Sequence, residues 1–169
     1  MAVLADISRD TQKGFAGICK FLVINTSDCS VAYDTSSGEV SFSNVDDWYT
    51  WVPTKETSSI ACPLTGSPQT GTSVFAHTAN MTFARTESVK RNQLAVMADS
   101  EVIVVAVERS GSAWCLGGLD ACSSGLDATG GDFTSGAAAG DLSGMTLVLT
   151  ANMPAPFGIV TDASLAEIV

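Results

Sequence analysis

A chain of 169 residues with 46% hydrophobic and 15% charged side chains carries enough apolar surface to fold around one core, which excludes wholesale disorder. Eight Lys and Arg stand against eighteen Asp and Glu, a net charge of −10, and no cation follows Arg109, so that Asp120, Asp127, Asp132, Asp141, Asp162 and Glu167 form an uncompensated negative block. A surface of that sign repels phosphates, and sequence-specific DNA binding is not expected.

The first residues, MAVLADISRDTQKG, place Asp6, Arg9, Asp10 and Lys13 where a secretory signal needs an unbroken apolar stretch, so the chain is expected to begin in the cytoplasm. The longest aliphatic run, Val102 to Val107, is far shorter than the roughly 20 residues of a membrane-spanning helix. Cys19, Cys29, Cys62, Cys115 and Cys122 lack framework spacing and are expected to be reduced thiols that pack as small hydrophobes.

In chain order, β-branched and alternating segments predict strands over Lys20–Thr26, Glu39–Ser43, Trp48–Val52, Ser73–Thr86, Glu101–Glu108, Ala113–Leu116 and Met145–Ala151. Turn-forming clusters such as Asp34–Gly38 and Arg109–Gly111 separate them. Within Ser73–Thr86 the odd positions Phe75, His77, Ala79, Met81 and Phe83 share one face and Thr72, Thr78, Asn80 and Thr82 the other, as a half-buried strand requires. Glu101–Glu108 is apolar on both faces and is expected at the centre, covered on one side by a helix. That helix is predicted over Glu87–Ala98, with Thr86 as N-cap and Glu87 in the first turn, positioned to pair with Lys90 and Arg91.

Two stretches lack core alternation. Pro53–Thr72 has three prolines and two glycines and reads as a long loop or extended hairpin arm, within which Ile60, Cys62 and Leu64 recur every second residue. Such a spacing would let one face of the arm dock on a neighbouring subunit. Gly117–Gly144, rich in glycine, reads as short strands joined by tight surface turns. The fold expected is mainly β: a single domain over residues 1–169, an antiparallel β-barrel or sandwich with one flanking α-helix and an arm at about 53–72.

No catalytic, metal or cofactor site is predicted. His77, the only histidine, lies on the apolar side of a strand, where a satisfied core or interface histidine is the ordinary explanation, and no Gly-x-Ser-x-Gly elbow occurs. No cysteine pair has zinc-finger spacing, the DATGGD segment matches no calcium loop, and neither phosphate-cradling glycine motif is present. Trp48, Tyr49 and Trp51 offer an aromatic platform for sugar or base stacking, against the commoner use of aromatics in cores and interfaces.

The segment AWCLGGLDACSSGLDATGGDFTSGAAAGDLSGMTLVLT over Ala113–Thr150, with FAHTANMTFART and LAVMADSEVIVVAVERSG upstream, resembles tail tube and related virion proteins of phages and prophages of Bacteroidetes-type hosts. The resemblance covers about Thr72 to Val160. It implies a β-barrel or sandwich with a flanking helix whose subunits form hexameric rings, stacked into a tube, assembled in the host cytoplasm and resident in the virion tail. The partners implied are further copies of the chain and other tail proteins, with DNA passing through unbound and no cofactor. An acidic wall suits such a conduit, and Asp120, Asp127, Asp132 and Asp141 are the candidate lumen acids. The alternative from another class is a monomeric β-sandwich binding a carbohydrate or protein ligand, with Trp48 and Trp51 as its platform; an enzyme ranks third.

Overall fold

The computed structural model describes residues 16–43, 47–67, 69, 71–138, 140–141 and 143–168. Twelve strands follow in chain order: β1 Ile18–Asn25, β2 Ser30–Tyr33, β3 Glu39–Ser43, β4 Tyr49–Trp51, β5 Ser59–Ala61, β6 Leu64–Ser67, β7 Thr72–Ala84, β8 Val102–Glu108, β9 Ala113–Leu116, β10 Asp127–Thr134, β11 Gly144–Met153 and β12 Gly158–Val160. Helix α1, Ser88–Met97, lies between β7 and β8, and a second helix, α2, Asp162–Ile168, follows β12. The fold is mainly β and sandwich-like, with an unclosed barrel and two helices where one was expected.

Seven strands form the first sheet in the order β2-β3-β12-β9-β8-β1-β4, and the second runs β10-β11-β7-β5 with β6 also paired to β7. Pairing is antiparallel except between β12 and β3, which makes the first sheet mixed. The expected turns are present: the Asp34 carboxylate accepts from the Ser36 N–H at 2.8 Å and the Ser37 hydroxyl at 3.0 Å, closing the β2–β3 turn. Gly111, at φ +96°, closes the β8–β9 turn in a conformation that L side chains resist.

The two faces of β8 explain the architecture. Val102, Val104 and Ala106 point to the second sheet and bury Ala79, Met81 and Phe83 of β7 and Met145, Leu147 and Leu149 of β11. These are the odd positions of β7 named above, and β11 lies against them over ten pairs from Gly144–Ala84 to Met153–Phe75. Each large side chain removed from water here contributes about 1.5–3 kcal/mol. Ile103 and Val105 point the other way, into a second cluster with Leu22, Ile24, Val40 and Phe42.

The cover of that second face is not α1. The first sheet curls over on itself: Val31 of β2 and Ile103 of β8, four strand positions apart, both reach within 3.4 Å of where a Cβ on Gly118 would stand. In a flat sheet that separation is about 19 Å. Leu165 and Ile168 of α2 close the remainder. Helix α1 instead plugs the space between the sheets, with Met97 buried and Leu94 beside Gly131 of β10. It begins one residue later than predicted. Arg85 takes φ +68°, and the N-cap becomes Glu87, without a side-chain capping bond. Glu87 pairs with Lys90 at 3.4 Å, while the Arg91 side chain turns to Asn92 at 3.2 Å.

Candidate assembly surfaces

The arm is part of the second sheet. β5 pairs with Thr78–Asn80 and β6 with Thr72–Phe75, so the stretch predicted as loop or hairpin runs antiparallel along β7 and turns back at Gly71, whose N–H donates to Ser67 O at 2.9 Å. Ile60, Cys62 and Leu64 do recur on one face, but their surroundings differ. Ile60 stands opposite Ala79 and is half-buried against the subunit's own core. Cys62 is half-buried. Leu64, opposite Phe75, is 61% exposed, because β11 ends its pairing at Phe75 and the β6–β7 hairpin runs on beyond the core. Val74 is exposed on the same hairpin.

The acids divide in two. Asp120 and Asp141 hold turns. Burial pushes the Asp120 carboxyl up, but the Ser124 hydroxyl and N–H, donating at 2.6 Å and 2.7 Å, bring it below its ordinary value. Asp141 is lowered by the N–H groups of Ala138 and Ala137, at 2.7 Å and 3.0 Å. Asp127 and Asp132 stand on β10 opposite Thr150 and Thr146, on the outward face of the second sheet. The same face carries Val148 of β11 and Thr78, Asn80 and Thr82 of β7. Asp127 and Asp132 are exposed, the β7 and β11 side chains of this face are half-buried, and the five strands of this sheet contain no Lys or Arg. The side chains of the face are short and mostly polar.

His77 is fully buried. Its Nε2 lies 2.9 Å from Ala155 O, its Nδ1 accepts from the Gly117 N–H at 3.4 Å, and Phe157 meets the ring edge-on at 4.9 Å. Burial lowers its pKa, opposed in part by the Ala155 carbonyl. This histidine ties the second sheet to the end of β9 and to the turn before β12, and among the described residues its ring nitrogens bond to backbone groups alone.

The aromatic platform is not assembled. Trp48 packs edge-on against Phe42 at 5.2 Å in the cluster under the curled sheet, whereas Trp51 packs on Phe83 at 5.9 Å in the cluster between the sheets. The two indoles serve opposite faces. Among the described residues no group of His, Cys, Asp or Glu is disposed to hold a metal ion, and no helix is long and apolar enough to cross a membrane. The apolar residues Val89, Leu94, Val96 and Met97 of α1, read from the sequence as one broad covering side, are divided: Leu94 and Met97 pack on the core, whereas Val89 and Val96 are exposed beside Val52 and Tyr49. No protein-family model, curated protein or solved structure matches the chain.

Proposed function

We propose that this chain is a virion structural protein whose copies assemble into rings, hexameric in the tail tube family it resembles, and that the stacked rings form a negatively charged conduit for phage DNA. The observation that carries the reading is the outward face of the second sheet: broad, solvent-accessible at Asp127 and Asp132, short in its side chains and without a cation on its strands. Such a face suits a lumen wall, because phosphates slide past it where Lys or Arg would hold them. The strand edges support the same reading. β10 lies at the edge of its sheet over eight residues without Lys or Pro, the side chains that commonly block edge pairing, so it is open to a strand from a neighbouring copy. DNA would pass without specific binding, and other tail proteins would cap the assembly.

The test is negative-stain microscopy and size-exclusion chromatography of the purified protein across concentration, salt and temperature. Rings or tubes are expected. A strictly monomeric protein under all conditions overturns the proposal, and a monomer retained on a polysaccharide column would favour a binding module instead.

A further inference from the structure

We infer that a trench between β4 and α1 receives the β6–β7 hairpin of a second copy, so that subunits join head to tail. This rests on the self-assembly reading above and names the two surfaces that would meet.

Helix α1 presents Leu94 and Met97 to the core, and on its other side Val89, Gln93 and Val96, at i, i+4 and i+7, form one wall of the trench. Tyr49, Trp51 and Val52 form the opposite wall. The trench consists of two grooves of about 200 Å³ each that share Trp51 and Gln93, and one of them is floored by Phe83 and Met145. Exposed large hydrophobic residues are few among the described residues, and they concentrate here: Tyr49, Val52, Val89 and Val96 are all exposed, Val52 at 68% and Val89 at 65%. A contiguous apolar surface of this kind marks an interaction site.

The hairpin is the complementary shape. It projects past the core, exposes Leu64 and Val74, and carries no charged side chain from Ser59 to Phe75, so its insertion would bury no charge. A subunit's own hairpin cannot fill its own trench. Leu64 pairs with Phe75, the trench floor is Phe83, and eight residues of strand separate them by about 26 Å.

Charge also selects a second copy. Lys55, Arg85, Lys90 and Arg91, four of the chain's eight cations, gather at the Phe83 end of β7, where Lys90 Nζ donates to Ala84 O at 2.6 Å. Glu56 and Glu87 are their acidic neighbours, and Asp132 stands on β10, two strands away from β7 in the same sheet. The rest of the chain is strongly acidic. A copy arriving hairpin-first therefore brings a neutral tip followed by an acidic body to a cationic rim. Because donor and acceptor surfaces sit at opposite ends of β7, the contact is heterologous and propagates from copy to copy.

Val89→Glu and Val52→Glu in the trench and Leu64→Glu in the hairpin, all at exposed positions, test this by light scattering, with circular dichroism as the check on folding. Each should raise the critical concentration for assembly about 100-fold, since each would force a carboxylate to be desolvated against the apolar walls of the contact. A mixture of Val89→Glu with Leu64→Glu retains one sound contact and should stop at pairs. In a Cys19→Ser/Cys122→Ser background with copper phenanthroline and oxygen as the oxidant, Leu64→Cys mixed with Val89→Cys should form an intermolecular disulfide, and Leu64→Cys mixed with Ser110→Cys should not. Wild-type assembly together with an unchanged critical concentration in folded Val89→Glu, or no cross-link at the first cysteine pair, overturns the trench and leaves self-assembly standing. A wild-type protein that never assembles overturns both.

Discussion

Protonation of His77 should loosen the joint between the two sheets. The neutral ring with its proton on Nε2 satisfies both neighbours, donating to Ala155 O and accepting from the Gly117 N–H. A second proton on Nδ1 would face that N–H donor to donor, inside a site from which water is excluded. The folded-state pKa is therefore depressed, with burial as the leading cause, while the unfolded chain titrates near about 6.5. Between the two values the unfolded state holds more protons, so stability is full above about pH 6.5 and falls as the pH drops from there towards the folded pKa. At pH 5.5, one unit below the unfolded value, the loss from this group is at most about 1.4 kcal/mol. Asp34, Asp120 and Asp141 are also depressed, but their stabilisation is lost only below the ordinary carboxylate range, about pH 4, outside this window. The assay is urea unfolding of unassembled protein at pH 7.5, 6.5 and 5.5, followed by tryptophan fluorescence. His77→Gln keeps a donor and an acceptor and should cost about 1–2 kcal/mol at pH 7.5, with the drop between pH 7.5 and 5.5 reduced relative to wild type. His77→Phe strands the Gly117 N–H and the Ala155 carbonyl and should cost about 3 kcal/mol or more. Wild type and His77→Gln running parallel in stability from pH 7.5 to 5.5 would refute the reasoning.

A Cβ on Gly144 would overlap the Phe83 carbonyl oxygen, which belongs to backbone and cannot rotate away. Gly144→Ala should cost about 3 kcal/mol or more in urea unfolding, against about 1 kcal/mol for Gly71→Ala, which meets only conformational strain; equal losses would count against the close approach of β11 and β7. In the folded protein a disulfide-exchange reagent should titrate Cys19 and Cys122 quickly and Cys62 slowly, with Cys29 and Cys115 reacting only on unfolding. Burial pushes the Cys29 thiol up to about 11 and raises that of Cys115 further. Fast reaction of more than two thiols in the native protein would contradict the packing described. An Asn80→Lys/Thr146→Lys double variant, on the same outward face but off the edge strand β10, should fold and assemble normally, yet its tubes should retain duplex DNA at low salt, release it at high salt and slow ejection from a virion. Assembled variant tubes that bind no DNA would remove this face from the lumen.

The side-chain period of a strand made much of this fold readable. The alternation of Phe75, His77, Ala79, Met81 and Phe83 is a statement about one face, and four of the five are buried. Likewise the unbroken apolar run of β8 required cover on both sides and obtained it. The sequence did not convey what the cover would be, because the curl that brings β2 over Ile103 depends on the twist accumulated across several strands rather than on any local pattern. The parallel pairing of β12 with β3 was hidden for another reason. A strand of three residues, Gly158–Val160, leaves no measurable period, and its partner lies over a hundred residues earlier. The misplaced helix cap has a local cause: with Arg85 in the left-handed region, the chain turns one step later than an isolated Thr86 cap would predict.

The candidate surfaces show where periodicity stops being sufficient. The spacing of Ile60, Cys62 and Leu64 correctly put them on one face, but whether that face meets core or solvent is decided by where β11 stops along β7, and so Ile60 is covered and Leu64 is bare. The acids give the sharper case. Asp127 and Asp132 are five residues apart, and on a regular strand an odd separation sends side chains to opposite faces. The β-bulge between Ala128 and Gly130 inserts one unpaired residue, Thr129, and restores both carboxylates to the face shared with Thr146 and Thr150. A regular β10 would turn one of the two towards Leu147 and Leu149, where a carboxylate is costly to bury. The negative character of the outward face thus depends on a single extra residue, held where the Thr150 hydroxyl donates to that of Thr129 at 3.2 Å.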